Sequence, residues 1–252
     1  MYNSYLPVFP GINNTVIDGR NINEGYQRGW GLQYGDLKDN ILNDNDYETS
    51  WNLIADRSIV EEARLMNLFL IIKFYLPNIL KNNENVIIIE FGTYRGGSAI
   101  FMANLVKMLK LPVQVFGLDT FQGMPPTNKV YDAHSAGDFK DTSLEELNNY
   151  KNILNLDNLF FIKGLFSDTA EILLKGKNVA IAHIDCDIFD AVKYSYQITK
   201  PYMIDGGYII FDDATTSSCI GATSAVEQFV IRQDKLNSEQ IYPHFVFRSF
   251  KI

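Results

Sequence analysis

Residues 86–98 read VIIIEFGTYRGGS and carry the clearest structural signal in the chain. The first six form a continuous apolar run interrupted only by Glu90, as expected of a parallel strand that is buried on both faces. The glycines that follow permit a tight turn and a close approach of the backbone to a ligand. Helical spacing over residues 98–110 then places a helix N-terminus at this turn, where a carboxylate or phosphate is favoured.

Working outward, strand and helix patterns alternate along most of the chain. Further strands are predicted at 113–118, 159–163, 179–184 and 208–211, and helices at 56–81, 138–154, 168–174, 191–198 and 222–232. Residues 244–250 alternate like a half-exposed strand. Repeated β-α-β units predict an α/β, Rossmann-like fold with a central, mostly parallel sheet flanked by helices on both faces.

The chain has 252 residues, 46% of them hydrophobic, which suits one α/β domain over residues 51–252. Residues 1–50 are rich in Asn, Gly, Asp and Tyr and predict an irregular N-terminal segment, with loop at 39–46. Two interpretations stay open for it. It is a lid whose Tyr26, Trp30 and Tyr34 line a substrate mouth, or a tail whose aromatic residues dock on the core.

Charge and composition exclude several classes of protein. Thirty acidic residues against 22 basic ones give a net charge of −8, so we expect no nucleic-acid partner. No apolar segment approaches the roughly 20 residues that span a bilayer, so we expect no membrane partner. The start of the chain lacks the pattern of a signal peptide. The only cysteines are Cys186 and Cys219, and neither lies in a paired cysteine motif, so we expect a cytoplasmic protein. Whether the apolar face of the 56–81 helix forms a homo-oligomer or packs in the core stays open.

Four carboxylates follow two predicted strands. Asp185 and Asp187 lie in HIDCDIFD (183–190), and Asp212 and Asp213 in IFDDA (210–214). If the strands are neighbours, these acids meet at one sheet edge and repel one another unless a cation compensates them. Hard oxygen ligands of this kind suit Mg²⁺, Mn²⁺ or Ca²⁺ rather than zinc. Solvated acids and helix caps are the alternative, and two successive acidic pairs favour the metal.

Two other strand ends indicate a nucleoside ligand. Residues 90–96 match an acidic-x-Gly-x-x-x-Gly pattern of class I methyltransferases, although an ordinary strand-to-helix turn would look similar. Asp119 ends the next predicted strand, where an acid can accept both ribose hydroxyls. His183 lies inside an apolar strand and is interpreted as a hydrogen-bonded core residue. His134 and His244 have no motif around them, and residues near His134 could order over a ligand.

These motifs, taken in order, resemble the macrocin O-methyltransferase-like family, whose members methylate sugar hydroxyls on antibiotics and related glycosides. The matching segments are EFGTYRGGSA (90–99), LDTFQGMPP (118–126), FIKGLFSDT (161–169), IDCDIFD (184–190) and GGYIIFDDA (206–214). The likeness covers about residues 55–235. The chain departs from the family in residues 1–50, and its final hairpin looks shortened after Lys235.

The resemblance implies a class I fold, S-adenosyl-L-methionine as cofactor, Mg²⁺ (or Mn²⁺) as metal, and a saccharide or glycoside as acceptor. Asp185, Asp212 and Asp213 look like the magnesium ligands, and Asp187 like the general base. It implies cofactor contacts for Glu90, Gly92, Thr93, Ser98, Asp119, Ser143, Gly164 and Phe166.

Three alternatives to a sugar O-methyltransferase are kept. The first is the same fold acting on a catechol-like or other diol acceptor. The second is an NAD-dependent oxidoreductase, which would usually show GxGxxG and a catalytic Tyr/Lys pair or His, neither of which is evident. The third is a non-catalytic binding domain, which would leave the mutual repulsion of the acids unexplained.

Overall fold

A computed structural model describes residues 16–17, 20–21, 36–80 and 83–249 of the chain. The aromatic residues considered for a lid, Tyr26, Trp30 and Tyr34, lie outside these ranges. Two short strands, β1 (Val16–Ile17) and β2 (Arg20–Asn21), pair antiparallel with each other. Among the described helices, none is long and apolar enough to cross a membrane.

A seven-stranded sheet forms the centre of the fold. Its strands are β3 (Val86–Phe91), β4 (Gln114–Asp119), β5 (Leu159–Lys163), β6 (Asn178–Ile184), β7 (Met203–Phe211), β8 (Ser238–Gln240) and β9 (Phe245–Arg248). They lie in the order β5-β4-β3-β6-β7-β9-β8. The first five are parallel, whereas β9 runs antiparallel to β7 and β8 antiparallel to β9. The α/β prediction with a mostly parallel central sheet is confirmed.

The strand order reverses between β3 and β6. From β3 the chain builds outward through β4 to β5, and from β6 it builds the other way through β7. All six residues of β3 are buried, as the apolar run predicted. Ligands bind where the strand order reverses, outside the carboxyl ends of the strands. The fold therefore puts its binding crevice directly after Phe91 and Ile184.

Helices cover both faces of the sheet. They are α1 (Asp36–Leu42), α2 (Asn45–Asn52), α3 (Glu62–Leu70), α4 (Leu76–Ile79), α5 (Gly97–Met108), α6 (Leu144–Ile153), α7 (Phe166–Leu174), α8 (Phe189–Thr199) and α9 (Ile220–Ala225). π-helical turns join α3 to α4 (Ile71–Tyr75) and extend α9 (Val226–Gln233). Helices α1 to α6 contribute to the apolar core on one face of the sheet, and α7 to α9 to the core on the other.

Two sequence expectations need correction. Residues 39–46 are mostly helical and not loop, because α1 ends at Leu42 and α2 begins at Asn45. Ile41 and Tyr47 are buried, and the Asp44 side chain caps α2 by accepting the Asp46 N–H. The helix predicted from residue 56 begins only at Glu62. The final hairpin, which looks shortened after Lys235 in the sequence, is formed by the three residues of β8 and the four residues of β9.

Gly92, the residue after β3, tests how closely the ends of β3 and β6 approach each other. Gly92 has φ +92°, and a Cβ there would overlap the backbone carbonyl of Asp185 on the neighbouring strand end. Gly176 has φ +72°, but a Cβ there meets no described atom within 4 Å. Gly176→Ala should therefore cost only the left-handed backbone strain, about 1–2 kcal/mol, whereas Gly92→Ala should cost about 4 kcal/mol or more. Urea unfolding measures both, and equal losses would contradict the close approach of β3 to β6.

Candidate active site and metal centre

The register of the sheet places the acidic strand ends side by side. Phe91 of β3 pairs with Ile184 of β6, which pairs with Phe211 of β7. The ladder continues one step further, because the Asp185 N–H donates to the Phe91 carbonyl at 2.9 Å and the Asp212 N–H to the Ile184 carbonyl at 3.0 Å. The two acidic segments therefore leave the sheet at the same level on adjacent strands.

One carboxylate oxygen from each of Asp185, Asp212 and Asp213 lies within 4.8 Å of the other two. Burial raises the pKa of Asp185 well above its ordinary value, and the charges of Asp212 and Asp213 raise it further. Burial and the charge of Asp187 act in the same direction on Asp213. The two raised pKa values therefore reflect both the burial of these carboxylates and the negative charge of their neighbours.

Arg64 of α3 compensates part of that charge. Its guanidinium donates to Asp212 Oδ2, donates to Thr216 Oγ1 at 2.6 Å, and lies 3.9 Å from Asp213 Oδ1. The side chain is only 12% exposed, so the ion pair is weakly screened by solvent. Arg64 of α3 thus pairs with two carboxylates of the acidic cluster at the strand ends.

His183 lies beneath the cluster, inside β6. Its Nδ1 is 3.0 Å from Glu90 Oε1 and its Nε2 is 3.5 Å from Asp212 Oδ1, and both His183 and Glu90 are fully buried. Burial lowers the pKa of His183, but the carboxylates of Asp212 and Glu90 outweigh burial and raise it to about 9. The imidazolium therefore offsets two buried acids, as the interpretation of a hydrogen-bonded core histidine implies.

A directional chain of hydrogen bonds holds Asp212 from its other side. The Gln240 amide donates to Tyr242 O at 2.8 Å and to Asn67 Oδ1 at 3.2 Å, which leaves the Asn67 amide nitrogen as the donor to His244 Nδ1 at 3.0 Å. His244 Nε2 therefore carries a proton and donates to Asp212 Oδ1 at 2.8 Å. Burial raises the pKa of Asp212, but the neighbouring imidazoles of His183 and His244 outweigh burial and hold the pKa below its ordinary value.

Asp187 lies beside this cluster in a left-handed backbone conformation, with φ +57°. Its own N–H donates to Asp213 Oδ2 at 3.3 Å, and the Cys219 thiol donates to its Oδ1 at 3.2 Å. Burial raises the pKa of Asp187, and the Cys219 thiol and His134 reduce that rise. A non-glycine residue held at positive φ is uncommon, and such strain concentrates at functional sites.

A cavity of about 380 Å³ joins the acidic cluster to the glycine-rich turn. Its size suits a small-molecule ligand. The predicted site residues on its wall are Gly92, Thr93, Ser98, Asp119, Phe166, Asp185, Asp187, Asp212 and Asp213. The structure therefore brings all four predicted metal-site and catalytic acids into one cavity with five of the eight predicted cofactor residues.

The other three predicted cofactor residues do not line this cavity. Glu90 is buried below it, paired with His183, and its Oε2 finds no hydrogen-bond partner among the described residues. Ser143 caps α6, where its hydroxyl accepts the Glu146 N–H at 3.3 Å. Gly164 makes a backbone bond to Asp119 O at 2.9 Å. Contact of these three with a cofactor stays a prediction.

Asp119 shapes the turn as well as the cavity wall. Its Oδ2 accepts the N–H groups of Thr93 at 3.0 Å and Tyr94 at 2.8 Å, and its Oδ1 accepts the Phe121 N–H at 2.7 Å. The two N–H groups use both lone pairs of Oδ2, so acceptor capacity for a ligand hydroxyl remains only on Oδ1. The same side chain fixes the glycine-rich turn and presents a carboxylate to the cavity.

Sequence reasoning missed Arg64, Asn67 and His244 as site residues. Arg64 and Asn67 are three residues apart and face the same way on a helix whose neighbours Leu65, Met66 and Leu68 are buried. Two polar residues on the buried side of an apolar helix are the signal that was available. His244 offers no such pattern, because its partner Asp212 lies 32 residues away in sequence.

Comparison with known families gives a match over most of the chain. The family model described as Macrocin-O-methyltransferase (TylF) matches residues 46–240. A curated relative, the 8-demethyl-8-(2,3-dimethoxy-alpha-L-rhamnosyl)-tetracenomycin-C 4'-O-methyltransferase of Streptomyces olivaceus, is 26% identical over 183 residues, which is 67% of this chain and 66% of that protein. The demethyldecarbamoylnovobiocin O-methyltransferase of Streptomyces niveus is 25% identical over 169 residues, 63% of each chain. The match thus spans about two thirds of the length of these relatives.

Solved structures match the fold. The crystal structure of a calicheamicin methyltransferase superposes with a TM-score of 0.60 at 19% identity, covering 85% of this chain and 97% of the other. The O-methyltransferase NovP gives a TM-score of 0.59 at 24% identity, covering 75% and 80%. The chain therefore has the Rossmann-like fold of class I methyltransferases.

The pKa of His183 predicts a pH dependence of stability in the metal-free protein. The folded pKa of about 9 exceeds the unfolded value of about 6.5, so the stabilisation is complete below pH 6.5 and is lost as the pH rises through 9. The free energy of unfolding should fall by about 3 kcal/mol over that window. Urea unfolding with a chelator present should show this fall for the wild type and a flatter profile for His183→Gln. Equal slopes would show that His183 is not protonated in the folded chain.

Proposed function

The chain belongs to the macrocin O-methyltransferase family, and we propose that it transfers a methyl group from S-adenosylmethionine to a hydroxyl of a sugar or a glycosylated small molecule. The observation that carries the proposal is one cavity that joins a three-carboxylate cluster to the glycine-rich turn after β3 and to Asp119. A cation site next to a nucleoside site suits methyl transfer to a hydroxyl better than it suits hydride transfer or simple binding.

The residues on the cavity wall fit the adenosyl cofactor. Gly92, Thr93 and Ser98 surround the N-terminus of α5, which favours the carboxylate of an amino acid. Asp119 Oδ1 retains acceptor capacity for a ribose hydroxyl, and Phe166 adds an apolar ring to the same wall. When bound, S-adenosylmethionine supplies an electrophilic methyl group on its sulfonium.

The acidic cluster fits a divalent cation. Asp185, Asp212 and Asp213 supply hard oxygen donors, and the raised pKa of Asp185 indicates charge that Arg64 and the histidines leave uncompensated. His244 donates a hydrogen bond to Asp212 Oδ1, and His183 Nε2 lies 3.5 Å from the same oxygen, so both imidazoles hold the carboxylate as outer partners of metal ligands do. A bound Mg²⁺ or Mn²⁺ would lower the pKa of a coordinated hydroxyl.

Asp187 is the group that would accept the hydroxyl proton. It borders the cavity, and burial raises its pKa, which makes its carboxylate a stronger base than an exposed aspartate. Its N–H bond to Asp213 ties its position to the acidic cluster. The hydroxyl oxygen would gain the methyl group as Asp187 takes the proton, while the bond between that methyl and the sulfonium sulfur would break and leave a neutral thioether. Positioning of these groups would supply much of the acceleration.

The acceptor class rests on the relatives. The name of the Streptomyces olivaceus relative specifies a rhamnosyl-bearing acceptor, and both curated relatives are O-methyltransferases. We therefore propose a glycoside hydroxyl. A catechol-like diol is the alternative acceptor, and a panel of rhamnosides, other glycosides and catechol, with Mg²⁺ and radioactive S-adenosylmethionine, separates the two.

The variant Asp187→Asn tests the assigned base. Asparagine keeps the shape and tolerates positive φ but cannot take up the proton, so turnover should fall at least about 100-fold. Binding of S-adenosylhomocysteine and of Mg²⁺, measured by isothermal titration, should stay within about threefold of the wild type, because Asp187 is not among the assigned ligands of either.

Asp168→Asn is the matched control, since it removes one exposed acid at the same sheet edge but outside the cluster. Its turnover on the acceptor identified by the panel should equal that of the wild type. A fully active Asp187→Asn enzyme would overturn the assignment of the base. No binding of S-adenosylhomocysteine by the wild type would overturn the proposed methyl transfer itself.

A further inference from the structure

A second group of metal-ligand side chains lies next to the acidic cluster, because the Asp187 N–H donates to Asp213 Oδ2. It consists of His134, Asp187 and Cys219, whose ligand atoms all lie within 4.8 Å of one another. Cys219 Sγ is 3.2 Å from Asp187 Oδ1 and 3.6 Å from His134 Nε2, and His134 Nε2 is 4.0 Å from Asp187 Oδ1. The proposed methyl transfer uses Asp187 alone of the three and leaves the thiol and the imidazole without a role.

These separations are close to those of a zinc site. Ligand atoms held about 2.0–2.3 Å from one Zn²⁺ in a tetrahedron lie about 3.3–3.7 Å from one another. The three separations in the structure fall within about 1 Å of that range, so small side-chain movements close the site. One sulfur, one imidazole nitrogen and one carboxylate oxygen form a donor set that suits Zn²⁺, unlike the all-oxygen set of Asp185, Asp212 and Asp213.

A second observation points the same way. His134 Nδ1 is 3.4 Å from Asp138 Oδ2, which also accepts the Ser135 N–H at 2.9 Å. A histidine that ligates zinc generally donates its other ring N–H to a carboxylate, which fixes the tautomer and leaves a lone pair for the metal. Asp138 supplies that carboxylate, so the His134 lone pair at Nε2 faces Cys219 and Asp187.

The loop that carries His134 is tied to the rest of the fold. Thr127 Oγ1 donates to His134 O at 2.8 Å, and the loop closes through Gly137 N to Met124 O at 2.9 Å. Asp132 Oδ1 accepts the N–H of Phe189 at the start of α8 at 2.8 Å. His134 is thereby held against Cys219, which is itself only 4% exposed at the residue before α9.

We propose that His134, Asp187 and Cys219 form a Zn²⁺ site that is separate from the magnesium-type site and shares no ligand with it. Binding places three protein ligands on the cation, releases the thiol proton to solvent, and leaves the fourth position to water. Because Asp187 Oδ1 is a ligand, an occupied site removes the proton acceptor. Zinc is therefore an inhibitor of methyl transfer, a consequence that rests on the proposed function, whereas the site itself does not.

Cobalt spectroscopy tests the site without any acceptor or cofactor. The chain has only two cysteines, so a thiolate-to-Co²⁺ charge-transfer band in the near ultraviolet can arise only from Cys219 or Cys186. Excess Mg²⁺ keeps Co²⁺ from the all-oxygen cluster. The wild type should give an intense band at one Co²⁺ per chain, and Zn²⁺ should abolish it by displacement.

Variants assign the ligands. Cys219→Ser should lose the band, and the matched control Cys186→Ser should keep it, because Cys186 Sγ is outside the cluster. Asp138→Asn should keep the band but bind Zn²⁺ about 10- to 100-fold more weakly, as expected when a histidine loses its outer carboxylate. Where an acceptor is available, zinc inhibition should weaken at least tenfold in Cys219→Ser.

Two results would overturn the zinc site. One is the absence of a charge-transfer band in the wild type, which would make the three side chains a plain hydrogen-bonded group. The other is a band that persists in Cys219→Ser. Both results are independent of the proposed methyl transfer, whose failure would show instead as no binding of S-adenosylhomocysteine by a protein that still binds Co²⁺.

Discussion

Repulsion among four carboxylates at the ends of β6 and β7 is the constraint around which this molecule is arranged. Parallel pairing of the two strands puts Asp185 and Asp212 at the same level, and the next residues of each segment add Asp187 and Asp213. Left alone, these charges would oppose folding, because burial makes each of them costly. The surrounding basic and hydrogen-bonding side chains compensate part of this concentrated negative charge.

Asp212 is contacted by side chains from distant parts of the chain. Asp212 accepts hydrogen bonds from Arg64 of α3 and from His244, the residue before β9. The imidazole of His183, within β6, lies nearby. Asn67 and Gln240 extend the network from α3 to β8. Contacts that fix the Asp212 carboxylate therefore also hold α3 and the antiparallel end of the sheet in place. Stability and site geometry depend on the same bonds.

The sequence predicted what is local or periodic. Strand β3 was placed to the residue because a doubly buried strand is a continuous apolar run, and the neighbouring acids followed from the parallel topology. Residues 39–46 were misread as loop because Asn and Asp signal both turns and helix caps, and Asp44 is a cap. Arg64 and His244 were missed because their partners are 148 and 32 residues away, and no periodicity encodes such pairs.

The family assignment, the cavity and the charge balance converge on one central claim: Asp185, Asp212 and Asp213 together hold a divalent cation beside the adenosyl cofactor. A crystal structure with Mn²⁺ and S-adenosylhomocysteine tests it most directly, through the anomalous scattering of manganese. One strong anomalous peak is expected at coordination distance from all three carboxylates, with the nucleoside between Gly92 and Asp119. Saturating Mn²⁺ that leaves no peak among these carboxylates would contradict it.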